Sequence, residues 1–154
     1  MKRQVSAKLI EGAFEMPEVH GSWIVHLLHD FDWPGEEVKL YGEILIIDRA
    51  KPHLPSTIYA TAYAFLTFQQ LRELADWLDT LDLPVQELRI GSVYLSEASD
   101  PRHPYRLTIA GYPFGSGPGG TTFEIGFTRE EGKLMGEKLR DFINEILKIK
   151  AQGG

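Results

Sequence analysis

The chain has no cysteine among its 154 residues. That excludes disulfides, thiolate metal sites and cysteine nucleophiles. It has no basic excess either: 16 Lys and Arg stand against 22 Asp and Glu, a formal net charge of -6. A protein that binds nucleic acid through the phosphate backbone usually carries the opposite balance, whereas a basic protein partner fits this one. Long apolar runs are missing. The longest aliphatic run is Ile44-Leu45-Ile46-Ile47, far short of the ~20 residues of a membrane helix. Gln4, Ser6, Lys8 and Glu11 interrupt any signal-peptide core after the basic Met1-Lys2-Arg3. The expectation is a cytoplasmic protein of bacterial type with no membrane association.

What is present is an ordinary globular composition, 43% hydrophobic and 25% charged, which argues against disorder. The length suits one domain. We read residues 1–150 as a single α+β domain with half-units near 1–83 and 84–150, and 151–154 as a flexible tail.

Alternating apolar residues mark strands through the first half. Val5, Ala7, Leu9 and, after a break, Phe14 form the first. Trp23–Leu28 forms the second, closed by Trp33-Pro34-Gly35, a turn signal. Val38, Leu40, Ile44 and Ile46 form a long third strand with a possible bulge at Gly42. Lys51–Pro55 is a loop, and Ile58–Leu66 is a fourth strand. Thr67 with Gln70 makes a capping box, and Leu71, Leu74, Ala75, Leu78 and Leu81 follow at helical spacing until Pro84. The second half repeats the plan in shorter form: a strand or strand pair over Gln86–Leu95 around Gly91, a strand at Tyr105–Ala110, a Gly/Pro-dense connection over Pro113–Gly120, and a strand at Thr121–Phe127. Thr128 with Glu131 makes a second capping box, ahead of Met135, Leu139, Phe142, Ile143 and Ile146. Aligning Thr67 with Thr128 superposes Ala62, Ala64 and Leu66 on Phe123, Ile125 and Phe127, and Leu74, Leu78 and Leu81 on Met135, Leu139 and Phe142. The reading is an antiparallel sheet of six to eight strands with two amphipathic helices, laid out as two sheet-plus-helix half-repeats.

No catalytic set converges. His26-x-x-His29-Asp30 comes nearest a metal site, but residues three apart on a strand face opposite ways, and neither a metal nor a cofactor is expected. His53 and His103 sit beside prolines in loops and offer acid–base chemistry at neutral pH. No Gly-x-Ser-x-Gly elbow accompanies them. Gly115–Gly120 lacks the lysine of a phosphate-cradling loop. Asp76, Asp79 and Asp82 recur every third residue on the first helix and, with Glu36 and Glu37 at the Pro34-Gly35 turn, form a candidate acidic docking surface. Trp33 on that turn is the candidate anchor. An enzyme is the less favoured reading.

The segment Tyr63–Leu81, with its strand ending in Leu66-Thr67 and its helix core Leu74-Ala75-Asp76-Trp77-Leu78, resembles the WapI-type immunity proteins and related bacterial families. The order of the other strands over residues 20–147 is similar. The resemblance implies a non-enzymatic, inhibitor-like protein that neutralises a toxin-like or nuclease-like partner, or one of the relatives with no known role, and it carries over no binding residues. Two other roles compete. Tandem sheet-plus-helix units resemble the Pur-alpha and Whirly architectures, which implies a single-stranded nucleic-acid binder stacking bases on Tyr41, Tyr59, Tyr63, Tyr94, Tyr105 or Tyr112, with Lys2, Arg3, Lys8, Lys39 and Arg106 as its basic groups. An enzyme or small-molecule sequestering protein would use His26, His29 or His103 in a pocket beside the sheet.

Overall fold

The computed structural model describes residues 3–51, 53, 57–82, 85–110 and 122–153, with the backbone only over 57–61. The Pro113–Gly120 connection, Pro52, Pro55, Pro84, Tyr112, Lys2, Gly154 and the side chain of Tyr59 lie outside the described residues.

The protein is α+β, with eight strands in two four-stranded antiparallel sheets and two helices among the described residues. The first sheet is a meander of β1 (Gln4–Glu15), β2 (Val19–Asp30), β3 (Glu37–Asp48) and β4 (Thr57–Thr67), and β4 runs directly into α1 (Phe68–Asp79). The second sheet repeats the order in shorter strands: β5 (Leu88–Ile90), β6 (Val93–Glu97), β7 (Tyr105–Ile109) and β8 (Phe123–Phe127), followed by α2 (Arg129–Ala151). The helix thus takes in Ala151, the first residue of the expected tail. The β5–β6 hairpin turns on Gly91 and Ser92, and Gly91 takes a φ of 57° that a side chain would resist.

Both capping boxes form. The Thr67 hydroxyl accepts from the Gln70 amide at 3.1 Å while Gln70 accepts from the Thr67 amide at 2.9 Å. Thr128 and Glu131 repeat this at 3.1 and 2.9 Å. Two of the four amides that a helix start leaves open are satisfied each time. Helix α2 adds Glu130 and Glu131 in its first turn and Lys148 and Lys150 in its last, which suits the helix dipole.

One face of each sheet joins a continuous core. Val25, Leu27, Val38, Leu40, Ala62, Ala64 and Leu66 supply it from the first sheet, and Val93, Leu95, Leu107, Ile109, Phe123, Ile125 and Phe127 from the second. The residues that the two halves were aligned on all point into it: Leu74, Leu78 and Leu81 from the first half, and Met135, Leu139 and Phe142 from the second. The break in the first strand is a bulge. Pairing with β2 shifts between Lys8 and Ile10, so Leu9 and Ile10 are both buried although they are neighbours in sequence.

The expected bulge at Gly42 is not there. Gly42 pairs regularly with Val25 and Ala62, and the irregularity falls further on, between Ile44 and Leu45. Gly42 serves packing instead, because the Phe123 ring of the second sheet occupies the space a Cβ would need. The helices make a similar close approach. A Cβ on Gly136 would stand 3.1 Å from the Ala75 carbonyl oxygen. Small residues at the crossing let α2 lie tight against α1.

Candidate interaction surface

The other face of the first sheet is built from the same strands by period-two alternation. Cross-strand pairing sets Lys8 beside His26, His26 beside Tyr41 and Tyr41 beside Tyr63, and in the next row sets Ser6, Leu28, Lys39 and Phe65 together. The His26 and Tyr41 rings stack 4.7 Å apart at 20°. The Lys39 ammonium lies 5.1 Å from the Tyr41 ring centre and 4.9 Å from that of Tyr63. Partial burial lowers the Lys39 pKa, opposed by the nearby Glu43, and raises that of Tyr41, in both cases chiefly by desolvation.

Trp33 closes one end of this row. It leaves the β2–β3 turn and meets Phe65 edge-on at 5.3 Å, and Phe65 meets Tyr63 at 5.7 Å. Phe65 is 46% exposed, the largest aromatic exposure among the described residues. An exposed ring set among half-buried aromatics is a candidate contact point.

The turn that presents Trp33 is fixed from below. His29 is 1% exposed. Its Nδ1 donates to the Glu37 carbonyl at 2.6 Å, which sets the ring orientation, and its Nε2 has no partner among the described residues. The imidazole is ringed by Phe31, Trp33 and Phe68 at 4.9, 5.9 and 5.8 Å. Asp30 accepts from Gln4 at 3.0 Å and from the Asp32 amide at 2.9 Å, with Arg3 at 3.7 Å. These contacts, the Gln4 bond first, hold its carboxyl below the usual range. The Phe68 amide donates to the Glu36 carbonyl at 3.2 Å, tying the turn to the start of α1.

Glu36 and Glu37 are exposed beside Trp33 on this turn. Asp76, Asp79 and Asp82 lie elsewhere, along the seam between the helices, and each meets an arginine. Arg140 holds Asp76 at 2.7 Å and Asp79 at 2.6 Å, and Arg129 holds Asp82 at 2.6 Å. The sequence places all five acids on one candidate surface, and the fold separates them into two groups.

His26 and His29 do not converge, since the first faces the outer row and the second the core. Among the described residues no three His, Asp or Glu side chains are arranged to hold a metal ion. His53 is exposed in a turn, and His103 pairs with Asp100 at 3.5 Å. Of the candidate stacking tyrosines, Tyr41 and Tyr63 share the outer face, Tyr94 lies on the second sheet under Arg89, and Tyr105 is buried at 3%. The proposed basic groups are dispersed. Arg3 pairs with Asp32, Lys8 with Glu11, and Arg106 bonds Ser96. Phe65 is not among the sequence candidates, and its alternation with the buried Ala64 and Leu66 is the signal that places it on the outer face.

No described helix is long and apolar enough to cross a membrane. Neither a family model nor a curated protein matches the chain.

Proposed function

We propose that this protein is a non-enzymatic interaction module that docks a basic protein partner on the outer face of its first sheet, in the manner of a cytoplasmic immunity or inhibitor protein. The observation that carries the reading is the exposed Phe65 ring set edge-on against Trp33. Aromatic side chains supply most of the anchoring energy of protein interfaces. Glu36 and Glu37 are exposed next to the turn that carries Trp33 and would steer a basic, toxin-like or nuclease-like partner. Asp76, Asp79 and Asp82 contribute less, because Arg129 and Arg140 offset their charge.

A second reading, single-stranded nucleic-acid binding, is favoured by one observation: Lys39 lies over both Tyr41 and Tyr63 on a sheet face, a stacking platform with its own cation. The chain's net charge of -6 opposes it.

The test is affinity for the partner recovered from the native host, measured with wild type, Trp33→Ala and Phe65→Ala, beside an oligothymidine control. Each substitution is expected to weaken the protein complex by at least ~2 kcal/mol. An unchanged complex overturns the protein-docking reading. Salt-sensitive binding of oligothymidine that is lost in Tyr63→Ala would favour the second.

A further inference from the structure

Between the first sheet and the edge strand β8 lies an open cleft of ≈ 590 Å³, a size typical of small-molecule sites (~300–1,000 Å³). Its floor is the face of the first sheet that joins the core further along the strands. Trp23 shares that face with the buried Val25 and Leu27 by period-two alternation, and cross-strand pairing sets Gly12 and Ile44 on either side of it. The indole fills the space a Cβ on Gly12 would take, and Phe14 lies likewise against Gly21. Trp23, Phe14 and Ile44 are each partly exposed and line the cleft.

The wall on the second sheet holds a cation without a counter-charge. Arg3, Arg49, Arg102, Arg129 and Arg140 each hold a carboxylate. Arg72, Arg89 and Arg106 hold none among the described residues. Arg72 and Arg89 are exposed, whereas Arg106 is half-buried, beside Gly126 and His103 in the cleft wall. Its Nε donates to the Ser96 hydroxyl at 3.1 Å, and its two terminal nitrogens have no partner among the described residues. A guanidinium stays charged wherever it is placed, and one drawn out of water is ordinarily paired. The carboxylates around the cleft are otherwise committed. Asp100 is engaged by Arg102 and His103, and Glu131 caps α2. Glu11 faces the other side of the first sheet, where it meets Lys8. Glu124 is exposed and lies diagonally across the β7–β8 pair from Arg106, roughly 7–8 Å away between backbones, and the two make no ion pair.

We propose that this cleft binds an organic carboxylate on a flat apolar body, with the carboxylate on the terminal nitrogens of Arg106 and the body on the floor around Trp23. The guanidinium fork matches a carboxylate with two parallel hydrogen bonds, and the cleft walls reduce the screening that weakens such pairs in open water. The rim limits the ligand to a single negative charge: one guanidinium answers one carboxylate, and a second charge would face Glu124 and Asp100. The carboxylate belongs either to a free acid or to the C-terminus of a peptide. The floor lies on the opposite face of the first sheet from Lys39, Tyr41 and Phe65, so the site does not depend on the function proposed for that surface.

The experiment titrates the full-length protein with indole-3-acetate and the tripeptide Gly-Gly-Trp, using indole-3-acetamide and tryptamine as the neutral and cationic controls. Binding is followed by the amide chemical shifts of Gly12, Trp23, Arg106 and Gly126. At least one of the two acids is expected to shift these amides to saturation, with both controls weaker by about tenfold or more. Tighter binding of indole-3-acetate assigns the site to a free acid, and tighter binding of the tripeptide to a chain terminus. Arg106→Gln is expected to lose about tenfold in affinity for the preferred acid. Glu124→Gln, at an exposed position, is expected to gain about two- to threefold by removing a nearby like charge. Neither change breaks an ion pair, and the urea midpoint of each checks that the fold is kept. The Glu124 variant leaves Arg106 in place, so it decides the matter even if Arg106→Gln does not fold. The proposal is overturned if neither acid shifts these amides up to about 10 mM, if either control binds as tightly as the preferred acid, if folded Arg106→Gln binds it as wild type does, or if Glu124→Gln fails to tighten it.

Discussion

Phe123 stacks on the bare backbone of Gly42: a Cβ at that position would stand 2.5 Å from the ring. This contact seats the second sheet on the first. Gly42 is central in its row, between the fully buried Val25 and Ala62. We expect Gly42→Ala to destabilise the fold by about 1–3 kcal/mol through overpacking, read as a lower urea midpoint. Combining it with Phe123→Leu should cost less than the sum of the two single changes, because the residues share one contact. Strict additivity would show that the glycine is there for another reason.

The two capping boxes make a matched pair of tests. Thr67→Ala and Thr128→Ala each remove a hydroxyl that accepts from the amide three residues on. Each should cost about 1 kcal/mol. The caps begin different helices and have no common partner, so the double variant should show the sum. Chemical denaturation of all three variants checks this.

Asp30 predicts the acid limb of the stability curve. Gln4, the Asp32 amide and Arg3 favour its ionised form, so its folded pKa lies below its unfolded value near ~3.9. The contribution is present above the unfolded pKa and is lost as pH falls through the folded one. Asp30→Asn should therefore lower stability at pH 7 and flatten the decline below about pH 4. Urea midpoints taken across that range decide it, and a variant whose acid limb parallels wild type would contradict the assignment.

Much of the fold can be read directly from residue patterns. Period-two alternation marks the strands, and the two threonines with Gln70 and Glu131 mark where both helices begin. These are local rules, set by side-chain direction and by unsatisfied amides at helix starts, so they need no knowledge of what lies opposite. The half-repeat is legible for the same reason: each half obeys the same local rules in the same order. The extension of β2 through Gly21 and Ser22 is not, because it depends on Phe14 and β3 covering those positions.

The site divides along the same line. The sequence alone makes Trp33 a turn residue with acids beside it, and makes His26 and His29 point opposite ways. It cannot show that Phe65 stands against Trp33, since those residues are 32 positions apart and meet only through the register of β3 and β4. Nor can it show that Asp76, Asp79 and Asp82 face Arg140 and Arg129, which arrive on a helix from the other half of the chain.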